Sequence, residues 1–413
     1  MRVPSTAPRH APMEQWPVAH DCLQVGGLPL TQLAERIGRT PFYAYERRLV
    51  DARAAQLRTS LPPEVKLHYA VKANPMPALV CHLAGLVDGL DVASAGELKL
   101  ALDAGVKACA ISFAGPGKRR EELAQAVAAG VLLNVESFRE ARALAELSAA
   151  QGLTARVAVR VNPDFELKSA GMKMGGGPKP FGVDAEEVPE LLAEIGRLGL
   201  AFEGFHLYSG SQNLNAEAIC AAQRETLQLL LRLAESAPTP VRSLNLGGGF
   251  GIPYFPGEQA LDLAPIGANL AMLQERARQR LPEAELVIEL GRFLVGEAGI
   301  YVCRIIERKL SRGQVFLVTD GGMHHNLAAS GNFGQVIRKN YPVVIGNRVQ
   351  GIRREIASVV GPLCTPLDIL AERMDIAEAQ PGDLVVVFQS GAYGRSASPS
   401  AFLSHPEPAE VLV

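Results

Sequence analysis

Eight times between about residue 50 and residue 300, a short apolar, β-branched run gives way to a longer stretch or a turn, many of the stretches with leucine and alanine at helical spacing. The runs lie at 67–71, 90–94, 109–115, 131–136, 155–162, 202–209, 243–249 and 286–290, with helical stretches at 97–104, 119–129, 138–149, 185–198 and 216–235. Strands that read as continuous apolar runs are buried on both faces and need covering helices, so the alternation predicts a parallel sheet. An open, doubly wound sheet and a closed (β/α)8 barrel both fit such a pattern. Eight repeats over roughly 250 residues favour the barrel.

Beyond residue 300 the texture changes. The runs at 300–308, 315–320, 355–361, 384–389 and 410–413 are strand-like and punctuated by glycine and proline, with a helix expected only near 366–373. The stretches 22–30 and 41–45 share this texture. A chain of 413 residues exceeds what one core usually holds. The expectation is therefore a barrel over 48–299 and a mostly antiparallel β domain built from 1–47 and 300–413. The loop at 171–180, rich in glycine and lysine, is expected to lie beside the active site as a lid.

Composition narrows the function classes. With 48% hydrophobic and 20% charged residues and a net charge of −2, the chain offers no footprint for nucleic acid or an anionic membrane. The six cysteines, at 22, 81, 109, 220, 303 and 364, form no CxxC pair, so neither a zinc site nor a disulfide framework is expected. His324-His325 has no third ligand at a recognisable spacing, and no metal is expected. Residues 1–20 lack an apolar signal core, and no run is long enough to span a bilayer. A cytoplasmic location is expected.

In a barrel of this kind, catalytic groups come from the C-terminal ends of the strands. Here those ends carry Lys72, Asp91 with Ser94, Arg160, His206 with Ser209, the glycines Gly247, Gly248 and Gly249, and Glu289 with Gly291 and Arg292. Each has an ordinary reading. Lys72 alone is a solvated lysine, but a desolvated amine there becomes a Schiff-base nucleophile. The three glycines form a turn, but after strand seven they stand where this fold binds phosphate. Glu289 pairs with Arg292, or holds the ring nitrogen of a cofactor. His206 is a core histidine, or a flat ring stacked on that cofactor. Cys364, between turn residues, is a small apolar filler or an active-site thiol.

Seven segments in order resemble the pyridoxal 5′-phosphate (PLP)-dependent decarboxylases of the diaminopimelate and ornithine type, with the alanine-racemase-like fold. They are Tyr69-Ala70-Val71-Lys72-Ala73-Asn74, Asp91-Val92-Ala93-Ser94-Ala95-Gly96-Glu97, His206-Leu207-Tyr208-Ser209-Gly210-Ser211, Leu246-Gly247-Gly248-Gly249-Phe250-Gly251, Glu289-Leu290-Gly291-Arg292, Gly361-Pro362-Leu363-Cys364 and Gly391-Ala392-Tyr393. The resemblance implies a lyase of amino-acid metabolism that removes an α-carboxylate. It implies that Lys72 carries PLP, that His206 stacks on the ring, and that Glu289 binds the ring nitrogen. Asp91 and Arg160 would lie near the cofactor, and Ser209, Gly247, Gly248, Gly249, Gly291, Arg292 and Tyr393 near its phosphate. Cys364 would enter the site from the other subunit of a homodimer. A racemase on this fold would need a second base and tends to place arginine at the ring nitrogen. A non-catalytic relative would be expected to lack Lys72 or Cys364.

The match departs from the family's pattern at three places. Diaminopimelate enzymes resemble Cys-Glu-Ser at the cysteine, where the acid receives the substrate's distal ammonium. Here Thr365 and Pro366 follow Cys364, and Leu290 stands where proline is usual in the strand-eight segment. A buried ammonium without a carboxylate is costly. The segment from Asp320 to Arg338 is also extended, similar to the subgroup of carrier-protein glutamyl and exosortase-associated decarboxylases. The expected substrate is an amino acid, free or tethered to an acyl carrier protein, that meets Arg292, Arg338, Cys364, Thr365 and Tyr393. The alternative is meso-diaminopimelate, giving lysine.

Overall fold

The computed structural model describes residues 8–165, 172–173 and 177–413. The chain divides into two compact units, one of Ala52–Ile252 and Leu261–Phe293, the other of Met1–Asp51, Pro253–Ala260 and Leu294–Val413. The second thus takes in Pro253–Ala260, which lies inside the stretch of strand–helix alternation.

The first unit is a closed parallel barrel. Its strands are β1 (Lys66–Ala70), β2 (Gly89–Val92), β3 (Ile111–Phe113), β4 (Leu132–Val135), β5 (Arg156–Asn162), β6 (Ala201–His206), β7 (Ser243–Gly248) and β8 (Glu285–Leu290). Each pairs in parallel with its neighbour, β8 with β1 and β4 with β5 included, so no edge is left open. An additional short strand, Val183–Asp184, lies against the end of β5. The covering helices include Ala95–Asp103 and Phe138–Gln151, and their starts are written in the sequence. Ser94 and Ser137 stand at the N-caps, and their hydroxyls accept the backbone N–H of Glu97 and Glu140, 3.2 Å away in both cases. Burial of the consecutive residues Val157, Ala158 and Val159 on β5 covers both faces of the strand, which is why such strands read as largely apolar runs.

The second unit is a mostly antiparallel sheet in the order Val343–Ile345, Leu384–Val387, Gly299–Ser311, Gln314–Thr319, Arg354–Val360, Ile369–Ala377. Phe42–Tyr45 pairs antiparallel with the first half of Gly299–Ser311, and Ala409–Leu412 lies parallel to Phe42–Tyr45. The N-terminal strand Cys22–Val25 and helix Leu30–Ile37 close one face. There Trp16, Leu23, Leu30, Leu33, Phe42, Val302, Val386 and Phe388 make a single core. Cutting one of its leucines to alanine costs about 2–5 kcal/mol.

The helix expected at 366–373 does not form. Asp368 lies in a turn, and Ile369–Ala377 is a strand paired with Arg354–Val360. The apolar spacing of Leu367, Leu370 and Ala371 suits a helix, but nine residues of cross-strand pairing outweigh local preference. Of the 171–180 loop, residues 171 and 174–176 lie outside the described residues. No helix among the described residues is long and apolar enough to cross a membrane.

Candidate active site

Glu289 is buried near the C-terminal end of β8. Its Oε2 accepts the Nε2–H of His206 at 3.0 Å and the amide of Asn245 at 3.2 Å. Burial opposes a charge there, but His206, then Lys72 and Arg160, draw the carboxyl well below the usual range and keep it ionised. Asn245 also accepts the N–H of Gly247 at 2.8 Å, so one amide fixes both the carboxylate and the start of the glycine turn.

Gly247 and Gly249 have φ of +71° and +78°, a conformation that favours glycine. At Gly248 the constraint is space, since a Cβ there would lie 1.9 Å from the carbonyl oxygen of Glu289. Ser209, Gly248 and Gly249 line a cavity of about 20 Å³ that also meets the buried Asn213, Gln223 and Thr226. At Gly291 a Cβ would lie 2.8 Å from that of Ala73, which brings the turn before Arg292 against the turn that carries Lys72.

Lys72 sits in a 3-10 turn, Val71–Ala73, directly after β1, and its Nζ lies 5.2 Å from the centre of the Tyr208 ring. Asp91, on β2, is buried. Its Oδ1 is 3.2 Å from His68 Nδ1, and its Oδ2 has no hydrogen-bond partner among the described residues. The His68 ring fills the space over Gly89, where a Cβ would come within 2.5 Å of Nε2. Burial disfavours the imidazolium of His68, yet Asp91, with Glu289 and Asp88, raises its pKa. Arg160, on β5, donates to Glu136 at 2.9 Å and lies 5.1 Å from the Phe181 ring.

Thus Lys72, Asp91, Arg160, His206, Ser209, Gly247, Gly248, Gly249, Glu289, Gly291 and Arg292 all belong to the barrel unit, at or just past the C-terminal ends of its strands. Tyr393, Cys364, Thr365 and Arg338 belong to the β unit. Tyr393 has φ +54°, a strained value for a tyrosine, and its ring stacks on Phe333 at 6.4 Å. Cys364 is exposed on its turn. Thr365 Oγ1 accepts the N–H of Leu367 at 3.3 Å. Arg338 donates to the carbonyls of Ser330 (3.1 Å) and Ile369 (2.7 Å) and to Asn340 (3.3 Å), and so braces the 320–338 segment.

The sequence reading missed His68, Asn245, Glu136 and Asp368. Glu136 carried a usable signal: an acid ending an apolar strand, one strand away from Arg160. Asp368 carried none, because its role depends on a distant turn. Its two oxygens accept the N–H groups of Met323 (2.6 Å) and Leu363 (2.9 Å), tying the Gly-Gly-Met turn to the Cys364 loop.

Comparison with known proteins agrees with this geometry. The family model described as the pyridoxal binding domain of pyridoxal-dependent decarboxylases matches residues 47–296. The L-glutamyl-[BtrI acyl-carrier protein] decarboxylase of Niallia circulans is 42% identical over 393 residues, which cover 93% of this chain and 90% of that protein. The diaminopimelate decarboxylase of Aquifex aeolicus is 34% identical over 397 residues, 95% of this chain and 90% of that one. The crystal structure of diaminopimelate decarboxylase from M. jannaschii with L-lysine matches with a TM-score of 0.88 at 24% identity, over 96% of this chain and 92% of that one, and shows the shared fold. With a family match over most of the barrel and relatives aligned along almost the whole chain, this protein belongs to the pyridoxal-dependent decarboxylases and is a PLP-dependent amino-acid decarboxylase, a carboxy-lyase.

Proposed function

We propose that the chain decarboxylates an amino acid whose distal end bears no ammonium, a glutamyl unit carried as a thioester on an acyl carrier protein, in a site that a second copy of the chain completes. One observation carries this reading. The turn from Gly361 to Asp368 offers no carboxylate to a distal ammonium: Thr365 follows Cys364, and both oxygens of Asp368 are taken by backbone N–H groups. A charged amine brought into such a pocket would lose its hydration without a partner. The Niallia circulans relative, by its name, acts on an L-glutamyl acyl-carrier protein.

The barrel residues fit PLP. A carboxylate held ionised in a buried position suits a protonated ring nitrogen, and Asp91 Oδ2 and His206 Nδ1 are buried polar atoms whose partners are not among the described residues. PLP, when bound, supplies a sink for the electrons left at Cα as carbon dioxide departs. Lys72, on its turn after β1, would hold the cofactor through its amine. Glu289, oriented by His206 and Asn245, keeps the ring nitrogen protonated. His206 presents a flat face to the ring. Ser209, Gly247, Gly248, Gly249, Gly291 and Arg292 would receive the phosphate. Asp91 and Arg160 hold the cofactor from the other strand ends.

Cys364 of the second copy returns the proton to Cα. Exposed apolar side chains support a covered state: Val336 is 101% and Ile337 77% exposed, with Phe333 and Leu367 exposed as well. Asn332 donates to the Leu367 carbonyl at 3.3 Å, which sets the turn after Cys364 beside the segment that carries Phe333. The test is carbon dioxide release from a glutamyl-carrier thioester, free glutamate, meso-diaminopimelate, ornithine and lysine. Turnover of the thioester above all free amino acids is expected, and efficient turnover of meso-diaminopimelate would refute the reading.

A further inference from the structure

A second group of buried charges in the barrel, Arg160, Lys118 and Glu140, gathers around Glu136. This residue directly follows β4, whose Val135 is in register with Val159 of β5, so Glu136 and Arg160 come next on adjacent strands at one level. Their side chains are 2% and 8% exposed. Three donors meet the Glu136 carboxylate. Oε1 accepts Arg160 Nη1 at 2.9 Å and the N–H of Gly115 at 2.6 Å, and Oε2 accepts the N–H of Gly182 at 3.0 Å. Gly182 has φ +75°, and a Cβ there would lie 2.8 Å from the Arg160 carbonyl, so that segment packs directly on Arg160.

Behind Glu136 stands a second pair. Lys118 Nζ lies 2.7 Å from Glu140 and donates to the carbonyls of Gly115 (2.7 Å) and Asn134 (2.9 Å). Glu140 in turn accepts the backbone N–H of Glu136 at 3.1 Å. Two cations and two carboxylates balance, as buried charges must. Burial opposes ionisation of Glu136, but Arg160 and Lys118, with the Gly182 N–H, pull its pKa down. Arg160 also helps to draw down the pKa of Glu289.

We infer that Glu136 is a positioning residue that fixes the guanidinium of Arg160 at the barrel mouth, holding it against PLP by accepting Arg160, Gly115 and Gly182 together. This rests on the reading that Arg160 faces the cofactor. Only a carboxylate accepts all three donors, since a glutamine would turn an NH2 onto at least one of them. Glu136 touches neither substrate nor cofactor and acts through Arg160.

The experiment compares wild-type protein, Glu136→Gln, Arg160→Gln and the double variant. For each, the affinity of the apoprotein for PLP and the pH midpoint of the bound cofactor's absorbance are measured, with the melting temperature of the apoprotein alongside. Arg160→Gln and Glu136→Gln should each weaken PLP binding about tenfold and move the midpoint the same way by about one pH unit, and the double variant should go no further than Arg160→Gln alone. A purely structural Glu136 would lower the melting temperature and leave the midpoint in place. That result, or a full-sized Glu136→Gln effect persisting in the Arg160→Gln background, would overturn the inference. An Arg160→Gln protein with unchanged binding and midpoint would instead overturn the placement of Arg160. Should Glu136→Gln not fold, Glu136→Asp enters the same cycle, keeping the charge but pulling it back by a methylene.

Discussion

The imidazole of His324 packs against that of His325 inside the β unit, ring centres 3.7 Å apart. His325 is held by the hydroxyl of Tyr301 (3.2 Å) and the carbonyl of Pro406 (3.0 Å), while neither ring nitrogen of His324 has a hydrogen-bond partner among the described residues. Burial, then the nearby His405, pushes the pKa of His324 down to about 4, and burial, then His324, pushes His325 to about 3. Unfolded histidines titrate near 6.5. Below that pH the unfolded chain takes up protons that the folded chain refuses. The stability is therefore fully present above about pH 6.5 and is lost as the pH falls toward 4 and then 3, on the order of 3–5 kcal/mol for each ring. Melting temperatures of wild-type and His324→Leu proteins from pH 7.5 to 4.5 check this. The wild type should fall more steeply, and parallel curves would count against it.

The cofactor assignment is tested on Lys72. Purified protein should absorb in the visible, and borohydride should leave reduced PLP on the peptide containing Lys72. Lys72→Ala should lose both signals and essentially all decarboxylation. Reduced cofactor on another lysine would move the site.

Shared sites are tested by mixing. Lys72→Ala and Cys364→Ala proteins should each be nearly inactive alone. After subunit exchange, half of the dimers would hold one intact site of two, which restores up to about a quarter of wild-type sites. Proven exchange without recovery would place Cys364 outside the partner's site.

Substrate choice is tested at Thr365. Losing the partner of a charged group in a dry pocket costs about 2–5 kcal/mol, and about 1.4 kcal/mol is tenfold. The kcat/KM for diaminopimelate, ornithine or lysine should therefore lie more than tenfold below that for a substrate with an uncharged or anionic distal end. Thr365→Glu should raise kcat/KM for the diamino acids and lower it for the carrier-linked substrate. No gain with any diamino acid would show that residue 365 does not meet the distal end.

The barrel was legible because its information is local. A strand covered on both sides is mostly apolar, as β5 is apart from Arg156, Arg160 and Asn162, and some helix starts carry their own cap, as Ser94 and Ser137 show. The residues named at strand ends were legible for a related reason: Lys72, His206 and Glu289 interrupt apolar runs where polarity has no structural excuse. What stayed hidden depends on partners far along the chain. Leu367 to Arg373 has helical spacing, and only pairing with Arg354–Val360 makes it a turn and a strand. Asn245 looks like one more polar residue before a glycine turn until β8 sets Glu289 beside it.

His68 and Gly89 make one further point. They are register partners on β1 and β2, and the ring of the first fills the room that the second leaves empty. Residue 89 is nevertheless held to glycine from two sides, because the carbonyl oxygen of Ala110 also lies 2.5 Å from where a Cβ would stand. A small apolar residue at 68 would lose the hydrogen bond that holds Asp91 without making room for a side chain at 89. Across descendants of this chain, position 89 should stay glycine even where position 68 has changed.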